Sequence, residues 1–342
     1  MDCIFIGSIN FLEMENKNFE YSVAIRTLGT GGEKYRRELE SLHHQTIKPK
    51  HIFVFLAEGY KRPDFQVGIE VYVTVHKGLV HQRSASLQGV DTEYLLILDD
   101  DIYFPNDAVE KLYDTLIVNK ADCIAPETFN NQDLSVVEKI VNYVANGVCP
   151  RKNDDWAVRI MRNGAFSYNS KPNKNGVYLT QSFPGTACFC RTSSFEQIHY
   201  EDELWIDQFP AGSFAEDQIM SYKFYKNGMK VLSVYDSGIL HLDAGTNNVH
   251  DKSYKKIKYR AFSYYMTWYR TCFDLKGNCF TEKILCILAY LWRFILGFCI
   301  RIFYSIIKIQ PKHFIAFVHG NVEGIIFAIS KKYKCINNFI LK

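Results

Sequence analysis

The 342-residue sequence is short of several features that would each settle its class. It has ten cysteines but no regular framework of them, and Cys188-x-Cys190 is the only close pair. No second pair stands at zinc-ligand spacing, so neither a disulfide scaffold nor a zinc module is expected. Reduced, mostly buried thiols of a cytosolic protein are expected instead. The opening Met1–Asn10 has no basic n-region, and its apolar part is too short for a secretory signal. There is no Gly-Lys-Ser/Thr loop of the kind that cradles ATP phosphates. No internal repeat or low-complexity segment interrupts the chain, which excludes solenoids and tethers.

What is present is ample apolar material. Hydrophobic residues make up 47% and aromatic residues 15%, enough for one large domain plus an appendage and incompatible with disorder. Charge is unevenly spread. Asp251–Lys342 carries 16 Lys and Arg against four Asp and Glu, while the first 250 residues carry 24 against 33. An acidic body thus sits on a basic foot.

Along the body, apolar strands alternate with helical patterns. Strands are expected at Tyr21–Ile25, His51–Leu56, Ile69–Val75, Tyr94–Leu98, Asp122–Ala125, Ala187–Cys190 and Val231–Val234. Helices are expected over Glu33–His44, Val80–Gln88, Asp107–Asn119 with Asn106 as its cap, Ser135–Ala145, Glu216–Asn227 and Tyr254–Cys272. A polar loop is expected at Asn169–Gly176 and a domain boundary near Leu275–Asn278. This alternation predicts an α/β fold with a mostly parallel sheet.

The strand Tyr94–Leu98 runs into Asp99-Asp100-Asp101. Leu95–Leu98 has the continuous apolar character of a strand buried on both faces. Three carboxylates at the carboxyl end of such a strand repel one another, and a divalent cation with oxygen ligands relieves that repulsion. The carboxyl edge of an open α/β sheet is also where ligands bind. The other reading is a charged strand exit.

Taken in order, the motifs resemble the family 2 glycosyltransferases of GT-A fold, from about Tyr21 to Arg270. Ser22-Val23-Ala24-Ile25-Arg26-Thr27 is similar to the family's first nucleotide-binding strand and turn. Leu42-His43-His44-Gln45-Thr46 resembles the end of its first helix. Arg83-Ser84 occupies the place of an Arg-Asn pair, with Ser84 for the usual Asn. Leu98-Asp99-Asp100-Asp101 resembles the acidic DXD metal motif, Phe214-Ala215-Glu216-Asp217 the motif ending in the catalytic aspartate, and Ile239-Leu240-His241 the histidine that completes the metal site.

The resemblance implies an inverting, metal-dependent transferase that moves one sugar from a nucleotide-sugar donor, a UDP-sugar first among candidates. The acceptor would be lipid-linked or a glycan, in bacterial surface-polysaccharide assembly. Mn²⁺ or Mg²⁺ would be held by Asp101 and His241. Asp99 would hold the ribose, or the ion through water, and Asp100, Thr27, Glu58 and Arg83 would serve the nucleotide. Gly185, Thr186 and Glu216 would line the donor and acceptor sites, and Asp217 would be the general base. Each residue also has a plain structural reading. Asp217 starts a helix, and His241 alone would be a core histidine. Glu58 lies in a turn, Arg83 on a helix face, and Gly185-Thr186 in an ordinary turn. Trp205 is expected in the core rather than on an acceptor sugar. The processive synthases' Gln-x-x-Arg-Trp motif is absent after Asp217, which favours single-sugar transfer. A sugar nucleotidyltransferase would need a glycine-rich basic loop that Gly29–Lys34 resembles poorly. A non-catalytic membrane adaptor with this fold is the other alternative.

In the foot, Lys283, Cys286, Tyr290, Arg293, Gly297, Arg301 and Tyr304 share one helical stripe. Leu285, Leu288, Trp292, Leu296, Cys299, Phe303 and Ile306 lie opposite. Each Arg at a bilayer centre costs about 2.5–3.5 kcal/mol, so a helix lying in the interface is expected, with Lys331, Lys332 and Lys334 toward anionic head groups. Positive charges embedded among aliphatic residues suit nucleic acid poorly. The expectation is a peripheral protein on the cytoplasmic face of the cell membrane, with a catalytic domain at 1–275 (nucleotide half 20–128, acceptor half 129–275) and a membrane-associating region at 276–342. A hairpin packed on the catalytic domain is the alternative, and a chain ending near Leu275 is expected to be soluble.

Overall fold

The computed structural model describes residues 19–128, 136, 140, 143–144, 155–169, 176–209, 216–235, 237–243, 253–275, 279–308 and 311–333. Most of the expected helix Ser135–Ala145, most of the loop Asn169–Gly176, the residues Phe214-Ala215, the boundary at 276–278 and Lys334 lie outside them.

The first half alternates as expected: β1 (Tyr21–Thr27), α1 (Glu33–His43), β2 (His51–Ala57), β3 (Glu70–Val75), α2 (Leu79–Ser84), β4 (Tyr94–Leu98), β5 (Ile102–Tyr103), α3 (Ala108–Val118) and β6 (Cys123–Pro126). Asn106 does not cap α3. Asp107 holds the cap position without a side-chain bond, and the Asn106 carbonyl instead accepts from the Thr46 N–H at 2.7 Å.

Three short strands follow where the sequence reading had none: β7 (Trp156–Ile160), β8 (Phe166–Tyr168) and β9 (Val177–Thr180). They are three to five residues long. Runs that short carry little periodic signal, and only pairing in the sheet defines them. Then come β10 (Ala187–Arg191), α4 (Thr192–Gln197), a 3₁₀ segment Tyr200–Gln208, α5 (Glu216–Lys226), β11 (Val231–Val234) and β12 (Leu240–His241). α6 (Tyr254–Trp268) passes into a π-helical turn, Tyr269–Asp274, and α7 (Phe280–Lys308) and α8 (Lys312–Ile329) end the described chain.

Ten strands form one sheet, ordered β3-β2-β1-β4-β10-β6-β11-β9-β7-β8. β3, β2, β1 and β4 run parallel, β10 runs antiparallel between β4 and β6, and β6 and β11 are again parallel. This mostly parallel sheet with flanking helices is the GT-A architecture. All five residues of β4 are buried, as the apolar run predicted. β5 and β12 make a separate two-stranded ladder that pairs Ile102 with His241, beside the acidic run.

The foot is not a detached appendage. Tyr290 of α7 stacks on Trp268 of α6 with ring centroids 4.1 Å apart. α8 lies along α6 so closely that a Cβ on Gly320 would stand 2.1 Å from the Lys258 carbonyl oxygen. Trp205 is in the core, 1% exposed, with Phe327 and Tyr333 each 5.7 Å from it. Tyr333 also donates to Asp274 at 2.8 Å.

The orientation of the α7 stripes is set by packing. Arg293 donates to the Asn163 carbonyl at 2.9 Å, and Arg301 lies over Phe317 at 4.1 Å. The basic stripe therefore faces protein. The opposite stripe faces out, with Leu288 57%, Trp292 60%, Phe303 67% and Ile306 71% exposed. Long side chains bury their stems against protein wherever that also gives the guanidinium an acceptor.

Since α8 shares core with α6, Gly320→Leu should lower stability by about 1–3 kcal/mol, the usual cost of overpacking. Thermal unfolding of the purified protein measures it, and an unchanged midpoint would mean that α8 does not dock here.

Candidate active site

The site lies at the carboxyl ends of β1 and β4, where parallel strands deliver their last side chains. Arg26, next to last in β1, bonds the Asp99 carboxylate with both Nε and Nη2, and its Nη1 reaches Glu216 Oε1 at 3.3 Å. Arg83 of α2 adds a second guanidinium, with Nη2 3.0 Å from Asp99 Oδ1. Burial alone would raise Asp99, but Arg26 and Arg83 outweigh it and hold the carboxyl below its ordinary range. Asp99, expected at ribose or ion, therefore has two protein cations as partners. Glu216 also meets Arg26, which compensates its near-complete burial.

Asp100 accepts a hydrogen bond from the Thr27 hydroxyl, and Thr27 Oγ1 in turn accepts from the Gly29 N–H at 2.8 Å. Burial, followed by the charges of Asp101 and Asp99, pushes Asp100 above the ordinary carboxylate value against the Thr27 bond. Asp101 pairs with His241, whose Nε2 is 3.0 Å from Asp101 Oδ2. Burial disfavours a charged imidazole, but the bond to Asp101 and the charges of Asp101 and Asp99 raise His241 above the usual histidine value. Leu242 N–H also donates to the Asp101 carbonyl at 2.9 Å, fixing β12 against the acidic run.

A divalent ion fits this pair. Asp101 Oδ1 is buried and makes no hydrogen bond, and a carboxylate with an imidazole is a suitable donor set. Among the described residues no three His, Cys, Asp or Glu side chains form a complete metal cage. The remaining coordination would fall to oxygens from outside the protein, as befits an ion that acts on a bound phosphate.

Asp217, at the start of α5, is held at both oxygens. The Gly185 N–H donates to Oδ2 at 3.1 Å and the Gln218 N–H to Oδ1 at 2.9 Å. Burial and the neighbouring Glu216 raise its pKa to about 6, against the Gly185 bond and the positive charge of Arg83. Arg83 Nη2 also donates to the Gly185 carbonyl at 2.6 Å. Arg83 is fully buried, so it forms a bracket between Asp99 and the backbone that grips Asp217, rather than a surface pair on a helix face. Gly185 is required by proximity: a Cβ there would stand 2.5 Å from Arg83 Nη1 and 2.6 Å from Asp217 Cβ. Thr186 contributes its carbonyl to the Asp99 N–H at 3.0 Å and its hydroxyl to Thr128 at 2.9 Å. Glu58 stands apart in an exposed turn after β2, 3.3 Å from His76 Nδ1.

Three supporting residues escaped the sequence reading. Arg26 lay within the quoted segment Ser22–Thr27 but was given no role of its own. Glu38 of α1 is fully buried and accepts the Ile102 N–H at 3.1 Å, steadying β5 from behind. Burial and the three nearby aspartates push its carboxyl well above the usual value. Asp207 accepts from the Val80 and His81 N–H groups at 3.0 and 2.8 Å, pinning the helix that carries Arg83. Gln45, from the helix ending singled out above, and Ser41 just before it accept from the Val109 and Phe104 N–H groups at 3.1 and 3.2 Å. No helical or strand period marks Glu38 or Asp207 as special.

An acidic run at the end of a central parallel strand, with a helix-start carboxylate held across from it, is the arrangement expected from the motifs on a sheet of GT-A type. Residues 39–198 match the model of Glycosyl transferase family 2. The resemblance expected from the motifs is thus borne out. The matched segment holds Glu58, Arg83, Asp99–Asp101, Gly185 and Thr186, while Thr27, Glu216, Asp217 and His241 lie outside it. No curated protein matches the chain. Among solved structures, the chain is similar to the mannosyltransferase PcManGT from Pyrobaculum calidifontis, in complex with GDP-Man and Mn²⁺. The two share 13% identity over 94% of this chain and 83% of that one, with a TM-score of 0.48.

Proposed function

We propose that this glycosyltransferase is inverting and metal-dependent, and that it moves a single sugar from a nucleotide-sugar donor to a lipid-linked or glycan acceptor. The observation that carries this reading is the Arg83 bracket, which places the grip on Asp217 beside the Asp99 end of the acidic run. Asp101 and His241 would hold the divalent ion, which supplies charge neutralisation to the leaving diphosphate. Thr27 and Asp100, and Glu58 from its separate turn, would serve the nucleotide, a UDP-sugar first among candidates. Asp217 takes the proton of the acceptor hydroxyl as the new bond forms. Its two oxygens are oriented by the Gly185 and Gln218 N–H groups, so little reorganisation is needed. A single base facing the leaving group gives inversion, on the geometric logic that also governs glycoside hydrolysis.

Asp217→Asn should keep donor binding and lower kcat by about 10²–10⁴-fold, the usual contribution of a general base. Because Asp217 titrates near 6, the parent's kcat should decline along a one-proton limb below about pH 6, and the variant should lack that limb. Parental turnover in the variant, or product keeping the donor's anomeric configuration, would refute the assignment.

Chelation should abolish transfer, and Mn²⁺ or Mg²⁺ should restore it. Asp101→Ala should weaken metal binding, read directly by Mn²⁺ paramagnetic resonance. Full activity of this variant in chelator would remove the metal from the mechanism.

The same reading places the protein on the inner face of the cell membrane. Among the described residues one helix, Phe280–Ile307, is long and apolar enough to cross a membrane, and only 11% of its most apolar window is buried. Its outward face, with exposed Lys312, Lys331 and Lys332, suits an anionic surface along which it would lie. Sedimentation with vesicles should show more binding to anionic than to neutral lipid. Salt should remove only that excess, since the apolar part is not screened. Trp292→Glu with Leu288→Glu should release the protein from both kinds of vesicle. A doubly substituted protein that still sediments would disprove the α7 contact.

A further inference from the structure

Behind the site, the 3₁₀ segment Tyr200–Gln208 carries a charged group that the chemistry above does not use. Glu203 is fully buried, and its partners Arg270 and Lys223 are buried with it. Arg270, from the π-helical turn, reaches both Glu203 oxygens with Nε at 3.1 Å and Oε1 with Nη2 at 2.7 Å. Lys223, two turns into α5, stands 3.1 Å from Oε1, and the Trp205 indole N–H donates to Oε2 at 2.9 Å. Burial alone would raise Glu203, but Arg270 and Lys223 outweigh it and lower its pKa to about 2. The neighbouring buried residues Ile206, Ile219 and Met266 belong to one apolar cluster. Apolar side chains of similar volume would hold these elements together at least as well, because buried charges must first be desolvated. What the ions add is directional hydrogen bonding, which admits one register and no other.

The elements registered in this way are those that carry the site. The segment meets α5 at a second point, where the Tyr200 hydroxyl donates to the Glu216 carbonyl at 3.4 Å. Lys223 Nζ also donates to the His199 carbonyl, just before the segment, at 2.6 Å. At its far end the segment holds α2, since Asp207 accepts from the Val80 and His81 N–H groups. α5 delivers Asp217 and α2 delivers Arg83, and the two meet at Gly185. The contacts therefore close a ring, in which the 3₁₀ segment is a splint between the two helices. Arg270 extends the ring outward. Its Nη1 donates to Asp274 at 3.0 Å, and Tyr333, beyond α8, donates to the same carboxylate.

We propose that Glu203 is a positioning residue for Asp217. It fixes the helix that starts at Asp217 against the segment that pins Arg83's helix, and the C-terminal helices reach the site through it. As a statement about the reaction, this rests on the reading of Asp217 as the base.

The test is amide hydrogen exchange on the full chain in neutral detergent micelles, because the Gly185 N–H reports the grip on Asp217 directly. Lys223→Met and Asp207→Ala cut the ring at different points. Each should speed exchange at Gly185 at least about tenfold, while amides of β1 and β2 exchange as in the parent. Asp207→Asn keeps a side-chain acceptor and should stay close to the parent. The double variant should be no faster than the faster single one, since a ring already open is not opened again. Asp207 stands apart from the buried charges, so its variant keeps the fold even if Lys223→Met does not, as unfolding midpoints will show. Three results would overturn the proposal: unchanged exchange at Gly185, a uniform acceleration that follows a lowered midpoint, or single effects that multiply in the double variant. Turnover separates the two readings. If Asp217 is the base, kcat should fall in the order in which Gly185 exchange rises. Faster exchange with parental kcat would keep the splint and remove Asp217 from the chemistry.

Discussion

Three adjacent carboxylates cannot share the end of a buried strand unless their charge is answered from elsewhere. Here each is answered differently. Asp99 meets Arg26 and Arg83, Asp100 meets the Thr27 hydroxyl, and Asp101 meets His241. Much of the fold can be understood as delivery of these partners. The parallel pairing of β1 with β4 brings Arg26 and Thr27 alongside the run. α2, pinned by Asp207, brings Arg83, and the β5–β12 ladder brings His241. Neutralisation is graded: Asp99 is fully compensated, whereas Asp101 keeps one oxygen buried and unbonded. That remaining demand makes the third aspartate, rather than the first, the one suited to the proposed ion.

The same bracketing brings Asp217, the proposed base, within the influence of the acidic run. Arg83 is the common member, with Asp99 at one bond and the Gly185 carbonyl at another. A carboxylate buried next to Glu216 would be hard to ionise at neutral pH. The Gly185 N–H and the Arg83 charge limit the rise to about 6. A base must be free of its proton yet keen to regain one, and a value near the working pH is the useful compromise.

Much of this was legible in the sequence, for reasons that can be named. β1, β2, β4 and β10 are buried on both faces, so hydrophobicity alone exposes them, and the acidic run is conspicuous because buried strands seldom end in three charges. His241 and Asp217 were singled out through motif order, and the structure sets His241 beside Asp101 and Asp217 beside Gly185. The strands β7 to β9 were not legible, because they are short and take their identity from neighbours distant in sequence. Nor could a helical wheel orient α7. It separates two faces correctly but does not say which of them meets protein, and the Asn163 carbonyl and the α6 aromatics drew the arginines inward. Glu38 and Asp207 were invisible because each serves a backbone N–H group, a task that any local sequence can present.

The complete burial of Arg83 has a consequence for how such an enzyme diversifies. One guanidinium touches both the acidic run and the loop that grips the helix-start carboxylate, so the two halves of the site cannot drift independently. A substitution that repositions the donor end is transmitted through the bracket to the acceptor end, and its effects will not simply add to those of changes made there. Variation that leaves chemistry intact is therefore confined to parts outside the bracket. The exposed turn at Glu58 and the half-exposed rings of Tyr168 and Tyr264 are such parts, free to vary while the bracketed centre stays constant.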